Sequence, residues 1–412
     1  MINTEKVAVA PGRRRDLEQL RALAMLTGVV FHAGLAYSAW AHPFMPTADR
    51  QHSVWVDVLL WLPHLCRMPV FFVIAGFAAA TLIARQGTGA LIRNRSLRIL
   101  LPCLVLVPVN HLTMQWLLAE AMTRVVHRPP LLDWLGTHSE ASAMLAMPGT
   151  GHLWFLYYLL ILTVLTWSVR QFNWSWLTRL SWLRRESFWQ WGLPCLLIPA
   201  LASVSAPHPA PESLLPNFWA LTFFGAFYVL GFWMATSNPI RVAIESRSIR
   251  SFLLIIPAYA AFLLLVQERI DWLGTQDWTE PMSLSRDWRI WPIAALEAYL
   301  SVWTSVCLLN AAARWLSRPS FILSYLSEAS YWTYVVHLPI LFAIQYRLLD
   351  LEWPAVGKFA LAVALTLSFS LVSYAVLVRH TPLARIFGVV KRSDDRGVAL
   401  AASRTTSIPQ KT

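Results

Sequence analysis

Residues 17–40 read LEQLRALAMLTGVVFHAGLAYSAW, a single apolar run that carries two ionisable groups of interest, Arg21 and His32. The run is long enough to cross a bilayer as a helix. Arg21 and His32 lie eleven positions apart, which on a helix leaves them about 20° apart around the axis and about 16 Å apart along it. They share one face, with Gly28 on the same stripe allowing close approach by another element. Ionisable residues inside spanning segments are costly and mark functional sites by default. Two plainer readings stand beside that one. Arg21 is near enough to the start of the run to snorkel into the interface, and a neutral His32 can be satisfied by a backbone carbonyl of a neighbouring helix. On the functional reading, both side chains look into a common cavity.

Outward from this run, the 412 residues are 57% hydrophobic and 14% charged, with 22 Trp. Soluble domains carry about 25% charged residues, so the composition is that of an integral membrane protein held in a lipid bilayer. A net charge of +12 would suit an anionic polymer, but the basic residues are dispersed between apolar runs. Topology explains that dispersal, and no nucleic acid partner is expected. Cys66, Cys103, Cys195 and Cys307 stand singly in or beside apolar runs, without the spacing of a disulfide framework or a metal site. Residues 1–17 are polar, with Arg13, Arg14 and Arg15 just before a long span, the pattern of an uncleaved signal anchor.

Apolar stretches of spanning length fall at about 18–40, 68–85, 99–119, 152–170, 189–206, 216–235, 251–267, 290–312, 329–346 and 358–378. Residues 54–85 are too long for one span and contain Pro63 and Pro69, so 54–62 is expected to be a separate interfacial helix leading into the second span. Charge tests the arrangement. Of the 34 Lys and Arg, 24 fall on the side of the N-terminus and 8 on the other, with Arg21 and Arg67 assigned to neither. That asymmetry fits ten spans with both termini cytoplasmic, and making 54–67 a span of its own would spoil it. The fold class is therefore an all-α integral membrane protein with about ten transmembrane helices. Its domains are a basic cytoplasmic tail at 1–17, a transmembrane domain at 18–380 and a polar, disordered cytoplasmic tail at 381–412. The long connections at 120–151 and 268–289 carry His127, Asp133, His138 and Glu140, then Glu268, Asp271, Asp277, Glu280 and Asp287. Loops of that length serve as lids or binding surfaces, or simply as tethers.

A histidine deep in the first span can take a proton from an incoming hydroxyl, since its ordinary pKa is near neutrality. Arg21, at the cytoplasmic end, offers a positive fork suited to a phosphate or carboxylate. The pair suggests a donor arriving from one side and an acceptor from the other. No Gly-x-Ser-x-Gly elbow or phosphate-cradling glycine loop occurs, which leaves serine hydrolases and nucleotide-driven machines without support. His52 and Asp57 have a His, four residues, Asp spacing, but it sits in an outer loop and is discounted.

The arrangement Arg21, ten residues, His32, preceded by LEQL, resembles the signature of the membrane acyltransferase-3 family. CRMPVFFVIAGF at 66–77 is similar to its second-helix motif, RNRSLRILLP at 93–102 to the basic turn opening its third, and GHLWFL at 151–156 and LSEASYWTYVVHLPI at 326–340 to later motifs. FHAGLAYS followed by RMPVFFVIAGF most resembles the family's glucans biosynthesis protein C branch, implicated in succinylating periplasmic glucans. Ala75 stands where the family usually has Ser, and Glu18 where it usually has Asp, which keeps the carboxylate. The resemblance implies a multi-pass protein of the bacterial inner membrane. It implies transfer of a succinyl or acetyl group from a cytoplasmic acyl-CoA-type donor, with no permanently bound cofactor, to a hydroxyl of a periplasmic or surface glycan. His32 would be the base or acyl relay, and Arg21 would orient the donor.

Further candidates each carry a plainer alternative. Arg67 can hold an acyl oxygen or a succinyl carboxylate, or be an interfacial arginine. Arg93, Arg95 and Arg98 can meet coenzyme A phosphates, Arg98 and Arg95 foremost, or anchor the topology. Glu18, His64, His152 and His337 are placed to line the cavity, or to be satisfied structurally. Glu297 needs a partner such as Arg or His, and a structural ion pair is the alternative to a cavity role. Asn110 and His111 are expected to bond between helices. From a different class, a transporter or flippase would use the same ionisable residues as a solute path. Another multispan acyltransferase fold, pairing an intramembrane His with a distant Asn, is a third reading.

Overall fold

Two glycines set how the centre of the molecule packs. In the computed structural model, which describes residues 14–138, 149–170, 185, 187–204, 207–237, 249–274 and 287–387, each of the ten apolar stretches overlaps a helix. In chain order the helices are α1 (Arg15–Leu35), α2 (Val54–Gln86), α3 (Thr88–Arg124), α4 (Pro130–Thr137), α5 (Gly151–Val169) and α6 (Phe188–Ala202). They continue as α7 (Phe218–Thr236), α8 (Ile249–Gly274), α9 (Ile290–Trp315), α10 (Phe321–Leu348), α11 (Ala355–Val378) and the single turn α12 (Leu383–Ile386). No strand occurs among the described residues, only isolated bridges such as Ser38 to Ser53. A Cβ on Gly76 of α2 would lie 1.9 Å from the Tyr228 carbonyl oxygen, and one on Gly231 of α7 would lie 1.9 Å from that of Val73. The two backbones therefore touch, the small-residue crossing favoured where hydrophobicity alone cannot drive helices together. Around it Phe72, Phe223, Phe224 and Phe227 are fully buried.

Seven helices, α2, α3, α5, α7, α8, α9 and α11, are long and apolar enough to cross a membrane. Of the other three expected spans, α1 and α10 carry the polar side chains of the cavities, and α6 is short. On α3, Leu104, Val105, Val109, Leu112 and Trp116 are exposed and form an outward apolar stripe suited to lipid. The basic N-terminal tail before residue 14, the polar tail after 387, and Glu140, Asp277 and Glu280 lie outside the described residues.

The expected break between 54–62 and the second span does not occur, since Val54–Gln86 is one helix of 33 residues. The reason is a hydroxyl from elsewhere. Pro63 disturbs the helical ladder, and the Tyr259 hydroxyl of α8 inserts into it, accepting from the Leu62 N–H at 3.0 Å and donating to the Val58 carbonyl at 2.8 Å. It replaces the i to i−4 bond that proline loosens. α1 also ends sooner than the apolar run, at Leu35. The buried Asp57 carboxylate gathers the Ala39 N–H, the Ser38 hydroxyl and the Trp61 indole N–H, folding 36–41 into a turn. Asp57 is thus a structural group, while His52 packs its ring 4.1 Å from that of His42.

Two π-turns precede prolines with one spacing: Ser96–Leu100 before Pro102, and Phe188–Gly192 before Pro194. A proline ring clashes with the carbonyl four residues back, and widening the preceding turn relieves it. The first of these turns carries Arg98. The connection after α3 is tethered in its described part, because the Asp350 carboxylate accepts from the backbone N–H groups of Val126 and His127 at 3.1 and 2.9 Å.

Candidate functional site

α1, α2, α5 and α10 each contribute to two cavities, one at either end of α1. The larger, about 1000 Å³, is lined on α1 by Ala24, Met25, Gly28, Phe31 and His32, and the smaller, about 540 Å³, by Glu18 and Arg21. Arg21 and His32 therefore share a helix face but not a chamber, contrary to the common cavity expected. Among the described residues, Met68, Phe71 and Tyr334 are the three side chains that line both. They stand between the two groups.

In the larger cavity the structure brings together His32, Arg67, His64, His152 and His337. The His337 ring centroid is 5.4 Å from both His32 and His152. Arg67 lies over the Phe31 ring, its Cζ 4.2 Å from the centroid, and its Nη1 is 3.5 Å from His32 Nε2. The close approach that Gly28 permits is that of Arg67, because a Cβ there would sit 3.3 Å from Nη1. No carboxylate pairs with Arg67 among the described residues, and its Nε has no hydrogen-bond partner.

The partners fix which ring nitrogen carries the proton in each neutral imidazole. A carbonyl only accepts, so His152 donates from Nε2 to Val335 at 3.1 Å, His337 from Nδ1 to Tyr334 at 2.8 Å, and His64 from Nε2 to His208 at 3.2 Å. A guanidinium only donates, so Nε2 of His32 is the nitrogen that keeps its lone pair. These imidazoles form a cluster of acceptors beside Arg67.

Glu297 is held behind the wall rather than in the cavity. Its Oε1 accepts from the backbone N–H of His208 at 3.0 Å and from its Nδ1 at 2.5 Å, both residues being buried. This pair fastens the Pro207–Glu212 segment, which closes one side of the cavity. The same segment is tied to the start of α5, where Thr150 donates from N–H and hydroxyl to the Glu212 carbonyl at 2.7 and 2.9 Å. Desolvation holds the Glu212 carboxyl above the usual carboxylate range. Arg269, on another wall, pairs with the buried Asp287 at 2.9 Å.

The smaller cavity gathers Glu18, Arg21, Arg95 and Arg98 with Asn94, Ser327 and Glu328. Arg21 donates from Nη2 to the Ser327 carbonyl at 2.9 Å and hydroxyl at 3.2 Å, while that hydroxyl donates to the Glu18 carbonyl at 3.0 Å. Ser327 thereby aims the guanidinium and fastens α1 to α10. Tyr331 donates to the Arg98 carbonyl at 2.6 Å, fixing the π-turn against α10. Three guanidinium groups around one chamber suit a polyanion.

Asn110 and His111 correct an expectation: Asn110 bonds the Leu106 carbonyl at 2.9 Å and His111 bonds Gln115 at 2.9 Å, all within α3. Four groups escaped the sequence reading: His208, Met68, Phe71 and Tyr334. Only the Pro207-His208-Pro209 string between two apolar runs was a usable signal. Among the described residues no three His, Cys, Asp or Glu side chains are grouped to hold a metal ion.

The acyltransferase-3 family model, described as an acyltransferase domain, matches residues 14–375. The chain is similar to glucans biosynthesis protein C of Salmonella schwarzengrund, Salmonella typhi and Salmonella typhimurium, at 31% identity over 167 residues in each case. Those alignments cover 40% of this chain and 41% of each relative, so the match spans about two fifths of the relatives' length. No solved structure matches the chain.

Proposed function

Because the chain belongs to the acyltransferase-3 family, we propose that it is a multi-pass O-acyltransferase of the bacterial inner membrane. It moves a succinyl or acetyl group from a cytoplasmic acyl-CoA-type donor to a hydroxyl of a periplasmic or surface glycan. The observation that carries this reading is the pair of cavities meeting at Met68, Phe71 and Tyr334, with Arg21 in one and His32 in the other. With both termini cytoplasmic, as the charge asymmetry favours, the smaller chamber opens toward the cytoplasm and the larger toward the periplasm.

The chemistry follows from the residues present. Arg21, Arg95 and Arg98 hold the phosphates of the donor. The thioester end enters the larger cavity, where His32 Nε2 takes the proton of the acceptor hydroxyl as it attacks the acyl carbon. Arg67, beside that nitrogen and without a carboxylate partner among the described residues, stabilises the oxygen that becomes negative. The C–O ester bond forms, the C–S bond breaks, and His32 returns the proton to the leaving thiolate. Buried imidazoles offering lone pairs suit a ligand rich in hydroxyl donors, which is why a glycan is the acceptor assigned.

The test is His32→Ala in proteoliposomes loaded with labelled acyl-CoA and supplied with periplasmic glycan. The variant is expected to insert and remain folded but transfer no label. Normal acylation by it rejects the role. Mass analysis of glycans from cells with and without the protein identifies the group and its carrier.

A further inference from the structure

Among the described residues the two chambers share only Met68, Phe71 and Tyr334, and these three differ in how firmly they are held. Tyr334 is fixed at both ends, by its place on α10 and by its hydroxyl, which donates to the His152 carbonyl at 2.5 Å. Phe71 is braced by Phe155, whose ring centroid lies 5.5 Å away, and Phe155 also packs edge-on against Tyr334 at 6.0 Å. Met68 is buried in the core as well, but its hold is softer. It is an unbranched side chain with three rotatable bonds, one turn before Phe71 on the same face of α2.

Resting on the acyl-transfer reading above, we propose that Met68, Phe71 and Tyr334 form the aperture through which the acyl group passes, and that its width decides which acyl groups are used. The donor's phosphates stay with Arg21, Arg95 and Arg98 while its acyl end crosses between the three side chains. Phe71 and Tyr334 are the fixed sides, and Met68 is the part that yields. The larger cavity, at about 1000 Å³, has room for the group once it has crossed. Selection therefore acts on breadth at the aperture: slender unbranched groups such as acetyl and succinyl pass, whereas groups branched next to the carbonyl do not. With no thioester in place the same three side chains keep water in the two chambers apart.

The experiment compares kcat/KM for acetyl-, succinyl- and pivaloyl-CoA in the wild type, Phe71→Ala and Met68→Ala, with periplasmic glycan as acceptor. A change of one or a few carbons in an apolar contact is worth about 10- to 200-fold in discrimination. The pivaloyl-to-acetyl ratio is expected to rise by at least about tenfold in each alanine variant. Met68→Trp should suppress all three donors while the protein still retains coenzyme A in an equilibrium binding assay. A purely structural role lowers every donor together and leaves the ratio unmoved, so an unchanged ratio in both alanine variants overturns the proposal, as does full activity of Met68→Trp. If instead the wild type transfers no acyl group from any thioester, the acyl-transfer reading itself fails and the aperture with it. Coenzyme A retention and a single symmetric elution peak in detergent, read on every variant, separate misfolding from a change in selection.

Discussion

Replacing Glu297 by alanine tests the wall of the larger cavity at a single amide. Pro207 and Pro209 have no backbone N–H, so the His208 N–H is the one exchangeable backbone proton in 207–209. It donates to Glu297 Oε1 at 3.0 Å, and the His208 ring donates to the same oxygen. Removing the carboxylate leaves two buried donors without an acceptor, each costing about 1–3 kcal/mol, or about 2–6 kcal/mol together. At about 1.4 kcal/mol per factor of ten, local opening of the segment should rise at least about 30-fold. Hydrogen–deuterium exchange in detergent, read on the peptide containing His208, measures this directly. Glu297→Gln keeps a carbonyl acceptor of the same reach and loses only the added strength of a charged acceptor, so its exchange should fall between alanine and wild type. Under the proposed function, the alanine variant should raise the acceptor KM and leave the donor KM alone. Wild-type exchange of the His208 amide in Glu297→Ala would mean that something else fastens the segment.

Gly231→Ala places a methyl group 1.9 Å from the Val73 carbonyl oxygen, so α2 and α7 must part. Overpacking of this kind costs about 1–3 kcal/mol or more, and thermal unfolding in detergent should show a clearly lowered midpoint; an unchanged midpoint would count against the crossing. Tyr259→Phe deletes the hydroxyl that bridges Val58 and Leu62, which should destabilise by about 1–3 kcal/mol, whereas Tyr325→Phe, whose hydroxyl serves no such bridge among the described residues, is the control in the same melt. Arg21→Gln should raise the donor KM by at least about tenfold without moving the acceptor KM, measured in the reconstituted transfer assay, and the reverse split would misplace the donor.

The helices were legible because lipid imposes a length and a composition that the chain shows without help from tertiary contacts. What the sequence hid was contributed from far away in the chain. Pro63 looked like a break because the repairing hydroxyl, Tyr259, lies nearly two hundred positions later. The apolar run after Leu35 looked like more helix because the carboxylate that turns it, Asp57, follows beyond a loop. At the site, helical geometry placed Arg21 and His32 on one face, and Gly28 pointed to a neighbour's approach, but only the packing of α2 showed that the neighbour is Arg67. For His208 the flanking prolines were the one local signal, and its meeting with Glu297, 89 positions later, appears only in the packing.

The same packing explains why one helix carries both ionisable groups without short-circuiting them. α1 runs past a constriction made by its neighbours, with Arg21 before it and Ala24 to His32 beyond. Eleven positions keep the two side chains on one face, so each looks toward the axis that the cavities share, while the length of helix between them, about 16 Å, leaves room for Met68, Phe71 and Tyr334 to stand between. A shorter separation would put guanidinium and imidazole in one chamber, and water would connect them. A separation off the helical period would turn one of them toward lipid, where its polar atoms would have no partner. The spacing is therefore what allows an arginine-lined chamber and an imidazole-lined one to adjoin along one helix and remain chemically distinct.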